Sequence, residues 1–422
     1  MPLGAVLVAT LFWVGSTLAQ RADQGKTAAN HPRFVDFTLI EDAGVNRTSE
    51  PVRAEFLLPP GVAPPDAVLL WNTSRGTHVP VQLEASGDLH RLRVLFLATQ
   101  PAGSRVLYRL YYGGRAEQRK PESRLKVFGE ELAWRVENGC LVADFSPNPG
   151  TGRSGQLNKI FLKDPGIWLT RERDQSTLHL SPNGAGTEHY VPVNRWNPPE
   201  KWSANQGTLS FRLERQGRMP KMPGLWVRVV YELFAESCAV VVEEEIAATE
   251  VVGVSLLRVG EFTLAPDPRN PFSHLAWADG PSAFALRPRE EVPPLPLDIP
   301  WLAFVRANPP VVFASVLEKL ECRSTAGSAA QRHPLSQFSG QPPHYFFRVF
   351  IGPDRESGSP LLQVPSGSTY YIRHWIFCAA NAQDSMERLV QRVSEFGRGI
   401  RQPLRISGTG AITSKSEDGH AW

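Results

Sequence analysis

With 45 Lys and Arg against 42 Asp and Glu over 422 residues, the chain has a formal charge of +3, and its basic residues are scattered. Near balance leaves no electrostatic footprint for nucleic acid, so nucleic acid is excluded as a partner class. A hydrophobic content of 42% is enough for packed cores, and the length exceeds the roughly 250–300 residues at which one core usually stops growing, so two domains are expected.

Residues 1–19 are apolar from Ala5 to Trp13 and end in Ser16-Thr17-Leu18-Ala19 before Gln20. This small-residue ending reads as a secretory signal cleaved after Ala19, although no basic residue precedes Arg21. The apolar run is shorter than the ~20 residues a spanning helix needs. The expectation is a secreted or periplasmic protein with no integral membrane span after cleavage. Residues 20–31 form a polar leader.

Residues 32–112 read as a small all-β domain. Its strands are Arg33 to Ile40, Val52 to Leu58, Ala67 to Trp71, Val79 to Leu83, Leu89 to Leu97 and Arg105 to Tyr112, at roughly the 8–12-residue spacing of a sandwich or small barrel. In the fifth, His90, Leu92, Val94 and Phe96 share the face that meets a core. Residues 113–124, with Gly113-Gly114 and Pro121, are the linker.

Residues 125–407 read as a large antiparallel β-sandwich. It opens with a hairpin, Leu132 to Glu137 and Cys140 to Phe145, whose Asn138-Gly139 pair suits a type I′ turn. Alternating runs follow at Thr208 to Leu213, Leu225 to Phe234, Cys238 to Glu245, Trp301 to Arg306, Val311 to Leu317, Tyr345 to Ile351 and Tyr370 to Ala379. One helix is expected from Asp384 to Phe396. Asp384 caps it with Glu387 at capping-box spacing, and Met386, Leu389, Val390, Val393 and Phe396 form an apolar stripe that ends before Gly397. Residues 408–422 read as a flexible tail. The fold class is all-β: a small N-terminal β-barrel or sandwich, then a large β-supersandwich with one C-terminal helix.

Cys140, Cys238, Cys322 and Cys378 are too far apart for a Cys-x-x-Cys metal or redox motif. Export would permit disulfides, but all four lie in or beside apolar strand-like runs, which favours buried free thiols. No metal or cofactor motif is present, and none is expected.

The segment from His189 to Trp202 is dense in imidazole, phenol, guanidinium and indole, and its prolines exclude a central strand. A polar, aromatic loop presented by a rigid sheet suits a sugar. Val45 to Val52 resembles the opening strand pair of the barrel-like N-terminal domain of rhamnogalacturonan exolyase relatives, and Leu132 to Phe145 is similar to the first hairpin of their galactose-mutarotase-like supersandwich. That resemblance implies an exported polysaccharide lyase acting on an acidic, uronate-containing polysaccharide or oligosaccharide. A lyase needs a cation beside the uronate carboxylate and a base for the α-proton. The candidate catalytic residues are His189, Tyr190, Arg195, Lys201, His344, Arg348 and Tyr371, with His274 as a further base. Trp196, Trp202, Arg228, Arg373 and Trp375 are the candidate substrate contacts. Strand parity places Tyr371, Arg373 and Trp375 on one face. Two alternatives stand beside this reading. Glycoside hydrolysis would use paired carboxylates, for which Glu243 and Glu245 share a strand face. The other is a carbohydrate-binding or cell-envelope protein without chemistry.

Overall fold

The structure, a computed structural model, describes residues 33–59, 62, 68–88, 90–112, 125–145, 154–169, 180–181, 196, 198–220, 222–254, 256–264, 272–293, 295, 299–323, 335–338, 344–351, 362–408 and 411–413. The expected signal, leader and linker lie outside them. The chain divides into two compact units, Met1–Glu122 with Gln402–Trp422, and Ser123–Arg401.

The first unit begins with β1 (Arg33–Ile40), β2 (Arg47–Leu57), β3 (Val68–Asn72), β4 (Thr77–Val79), β5 (Val81–Glu84), β6 (Arg91–Gln100) and β7 (Arg105–Tyr112). Alternate residues of these strands are apolar, so each strand offers one face to a shared core. Leu92, Val94 and Phe96 of β6 meet Phe37 and Leu39 of β1, Phe56 of β2 and Tyr108 and Leu110 of β7 there. Phe37 stacks on Tyr108 with ring centroids 5.5 Å apart. Pro80 splits the expected Val79 to Leu83 strand into β4 and β5, which belong to different sheets, because proline has no N–H for the ladder. Among the described residues the unit is a sandwich of two sheets and not the barrel-like domain that the resemblance implied.

The second unit contains β8 (Lys126–Glu130), β9 (Ala133–Glu137), β10 (Leu141–Phe145), β11 (Leu157–Leu162), β12 (Ile167–Trp168), β13 (Leu180–Ser181), β14 (Lys201–Gln206), β15 (Ser210–Met219), β16 (Met222–Phe234), β17 (Ala239–Ala248), β18 (Val252–Val254) and β19 (Leu256–Leu264). It continues with β20 (His274–Ala278), β21 (Phe284–Pro288), β22 (Trp301–Ala307), β23 (Pro310–Arg323), β24 (Leu335–Phe338), β25 (His344–Ile351), β26 (Leu362–Val364), β27 (Thr369–Ala380) and α1 (Met386–Arg401). Nine strands form one antiparallel sheet in the order β14-β15-β16-β17-β27-β23-β22-β20-β21. One of its faces is mostly apolar, with Phe211, Leu213, Val229, Tyr231, Val240, Val242 and Ile372 buried beside Arg215, Glu244 and His374. The sheet β12-β11-β10-β9-β8 packs on it, and the ring of Phe145 touches both Phe211 and Tyr231.

The expected first hairpin forms as β9 and β10, but three residues join the strands and Gly139 is not left-handed. Asn138 takes over the turn: its Oδ1 accepts from the N–H groups of Cys140 and Leu141, while its Nδ2 donates to the carbonyls of Phe234 and Ser237. Beside it, Cys140 and Cys238 form a disulfide with Cα atoms 5.3 Å apart. The expectation of four free thiols is corrected by this pairing, which strand alternation cannot reveal. Cys322 and Cys378 are free.

The helix forms with different ends. Ser385 is the cap, its Oγ accepting from the N–H of Arg388 at 3.3 Å, whereas Asp384 pairs with Arg388 and Arg392. Gly397 does not stop the helix: a Cβ there would lie 3.1 Å from the Trp301 ring, so the glycine permits close approach to the sheet. The chain then returns to the first unit. There β28 (Arg405–Ser407) pairs with β1 and β29 (Ala411–Thr413) with β2. The boundary at 407 and the tail reading of 408–422 therefore fail at these strands, whose backbones satisfy edges that β1 and β2 would otherwise expose.

Candidate functional site: a charge ladder on the nine-stranded sheet

The other face of the nine-stranded sheet is polar near its centre. Register places Glu214, Val230, Glu243, Arg373 and Lys319 in one row across β15, β16, β17, β27 and β23. The adjacent row runs Lys201, Gln216, Arg228, Glu245, Tyr371 and Glu321. Period-2 alternation selects these residues for one face. The sequence marks them as charged positions inside strands whose other face is apolar.

The charges interlock. Arg228 donates to both carboxylate oxygens of Glu214, at 2.8 and 3.2 Å, and lies 3.8 Å from Glu243 and 3.9 Å from Glu245. Arg373 donates to Glu243 and, at 2.9 Å, to Glu318. Glu318 also accepts from the Trp375 indole at 2.6 Å. Burial opposes the charge on Arg228, but Glu214 and its neighbours outweigh that and raise its pKa. The same balance holds at Arg373, where burial is outweighed by Glu243 and Glu318. For Glu214, burial acts upward and is overcome by Arg228 and Arg212, so its carboxyl sits below the ordinary range. The result is a row in which acidic and basic side chains alternate: Glu214, Arg228, Glu243, Arg373, Glu318. Tyr371 flanks it, with the Lys319 ammonium 5.3 Å from its ring.

The structure brings together Lys201, Arg228, Tyr371, Arg373 and Trp375 on this sheet. His344 and Arg348 are on β25, in the separate sheet β13-β19-β25-β24. His274 opens β20, its Nδ1 2.9 Å from the Ser273 hydroxyl. His189, Tyr190 and Arg195 lie outside the described residues. Lys201 and Trp202 begin the edge strand β14 and are exposed, with the Lys201 ammonium 5.9 Å from the Trp226 ring. Two tryptophans are not placed as sugar platforms. Trp375 is buried between Phe234 and Phe396, because α1 covers that end of the face. Trp196 is buried, its indole donating to the Arg218 carbonyl at 2.7 Å and its ring facing the Arg215 guanidinium. Sequence reading missed Glu214, Glu318 and Arg215. The signal for Arg215 was available: it holds an inward position of β15 after Phe211 and Leu213, where an apolar residue belongs. Among the described residues no cluster of His, Cys, Asp and Glu is arranged to hold a metal ion, and no helix is long and apolar enough to cross a membrane.

This architecture has solved counterparts. An alpha-mannosidase from Enterococcus faecalis V583 superposes with a TM-score of 0.54 and 14% identity, over 94% of this chain and 49% of that one. A protein in the glycosyl hydrolase family 38 from Enterococcus faecalis gives 0.54 and 13%, over 89% and 47%. A galactose 1-epimerase from Lactobacillus acidophilus NCFM superposes more loosely, with a TM-score of 0.34 and 9% identity, over 61% of this chain and 99% of that one. At these identities the likeness is one of fold, and the chain spans about half the length of the first two structures. It supports the all-β sandwich, not the lyase activity or the barrel-like domain implied by the resemblance. No protein-family profile matches the sequence, and no curated protein is similar to it by sequence.

Proposed function

We propose that this chain is an exported carbohydrate-active protein that receives a saccharide on the polar face of β15, β16, β17, β27 and β23 and acts on it by carboxylate chemistry, as a glycoside hydrolase. The carrying observation is the charge ladder. Its two arginines are already matched by Glu214, Glu243 and Glu318, so neither is free to neutralise a uronate as β-elimination requires. Carboxylates, by contrast, are plentiful. Glu243 and Glu245 lie on one face of β17, which sets two carboxylates side by side where a hydrolase needs a pair. The fold shared with an alpha-mannosidase and a family 38 glycosyl hydrolase supports a glycan ligand, and the Cys140–Cys238 disulfide fits an oxidising compartment. Elimination is the second reading, favoured by one observation: Lys201 is exposed at the same face and, among the described residues, has an aromatic neighbour and no carboxylate.

The test offers the full chain α-mannobiose, mannan, polygalacturonate and rhamnogalacturonan, and follows new reducing ends and the ultraviolet absorbance of an unsaturated uronate. New reducing ends without that absorbance are expected, falling on the order of 10²-fold or more in Glu243→Gln. Absorbance of an unsaturated product would replace hydrolysis with elimination. Turnover that is unchanged in both Glu243→Gln and Glu245→Gln would remove the ladder from the chemistry.

A further inference from the structure

We infer that Arg215 anchors a second site, on the inner side of the sheet edge, that takes the carboxylate of an acidic saccharide. Arg215 is completely buried. Its Nη1 donates to the Ser154 carbonyl at 2.8 Å and its Nη2 to the Tyr231 hydroxyl at 2.9 Å, while its Nε has no partner. The rings of Trp196 and Tyr231 each lie 5.4 Å from the guanidinium carbon. The Ser154 hydroxyl is likewise buried without a partner. Among the described residues no carboxylate pairs with Arg215. Two other buried arginines are met by carboxylates, Arg47 by Glu41 and Glu50 and Arg228 by Glu214, while Arg306 donates to the Pro309 carbonyl.

Removing a guanidinium from water without an anion is strongly unfavourable, and a native protein that retains such a group has a use for it. The neighbouring groups state what kind of anion fits. One guanidinium balances one negative charge, and its planar fork matches a carboxylate better than a spherical ion. Tyr231 is held as a neutral phenol, since burial pushes its pKa up, and its hydroxyl is engaged by Arg215 and by the Leu157 backbone. Ser154 adds a second hydroxyl. Trp202 stands opposite Arg215 in the strand register and is 41% exposed, which puts an indole at the edge on the same face. A flat apolar surface beside a carboxylate receptor suits the ring of a sugar acid. The anion assignment stands on Arg215 alone. The sugar assignment rests on the carbohydrate reading above.

The experiment titrates the full chain with sodium galacturonate, galactose and sodium acetate, reading heat of binding and unfolding temperature at constant ionic strength. Galacturonate should bind and raise the unfolding temperature, galactose should not, and acetate should bind at least about tenfold more weakly. Arg215→Gln should weaken galacturonate on the order of ten- to a hundredfold, and Ser154→Ala about three- to tenfold, as charge-assisted and neutral hydrogen bonds are lost. If Arg215→Gln does not fold, Ser154→Ala and Trp202→Ala carry the comparison. No binding of either anion, or galacturonate binding indifferent to all three variants, overturns the site. Acetate that equals galacturonate, with both dependent on Arg215, overturns the sugar assignment alone. Equal binding of galactose and galacturonate, weakened by Glu243→Gln and not by Arg215→Gln, overturns this inference and leaves the polar-face reading standing.

Discussion

Glu41 shows what a single buried charge contributes to the first unit. Its side chain is inaccessible, yet its carboxylate accepts from the N–H groups of Ala43, Gly44, Val45 and Gly103, and from Arg47 Nε and Nη2 at 3.1 and 2.8 Å. Burial pushes the carboxyl pKa up, but the backbone donors and Arg47 outweigh it and hold the group below its ordinary value. A lowered folded-state pKa means that its stabilisation is complete above the unfolded value of about 4.3 and is lost as pH falls through the folded value. Glu41→Gln should therefore cost about 3 kcal/mol at neutral pH, the scale of breaking a buried ion pair, and should flatten the acid limb of the stability curve. Denaturant unfolding between neutral pH and the acid range measures both. An acid limb as steep in the variant as in the wild type would locate the proton uptake elsewhere. At this scale the sequence was partly legible. Tyr371, Arg373 and Trp375 do share a face, as parity required. Which of them faces solvent was not legible, since that depends on where α1 lies.

Among the elements, the tie between the start of β10 and the turn before β17 is the most consequential. The Cys140–Cys238 bond closes a loop with a sequence separation of 98, and Asn138 reinforces it with side-chain hydrogen bonds to the same turn. Loop-closure entropy gives an upper figure near 5 kcal/mol for a loop of this size, and measured native disulfides contribute about 2–4 kcal/mol. Cys140→Ser with Cys238→Ser should lower the stability of the second unit by that amount. Reductant should lower the denaturant midpoint of the wild type and leave the double variant unmoved; equal midpoints for the wild type with and without reductant would deny the bond a stabilising role. The helix was legible as an element because its apolar stripe has helical period, and Leu389, Val390 and Val393 are buried as that stripe predicts. Its cap and its end were not, because Gly397 reads as a stop in sequence and serves as a packing contact against Trp301.

For the molecule as a whole, the path of the chain matters most at its end. Residues after α1 belong to the first unit: Leu404 enters its core, Arg47 donates to the Gln402 carbonyl at 2.7 Å, and Arg405 pairs with Asp42 at 3.0 Å. Gly408 lies so close to β1 that a Cβ would be 2.7 Å from the Asp36 carbonyl oxygen. A chain truncated after Arg401 should lose two strand partners and the burial of Leu404, the last alone about 1.5–3 kcal/mol. Faster hydrogen exchange at Thr38, Leu39 and Ile40 and a lower unfolding temperature of the first unit are the expected readouts. Unchanged protection of β1 would show that the returning strands are dispensable.

The sequence by itself determined the class of the fold and the inward faces of its strands, because period-2 alternation and turn residues are local properties that each segment carries alone. It also marked Arg228, Glu243 and Arg373 of the ladder, while Glu214 and Glu318 passed unnoticed. Only the tertiary structure decided that these charges neutralise one another, that Trp196 and Trp375 are core residues, that Cys140 meets Cys238, and that residues 402–413 complete the first unit. Each of those facts is a contact between residues far apart in the chain, and neither periodicity nor composition records which strand lies beside which.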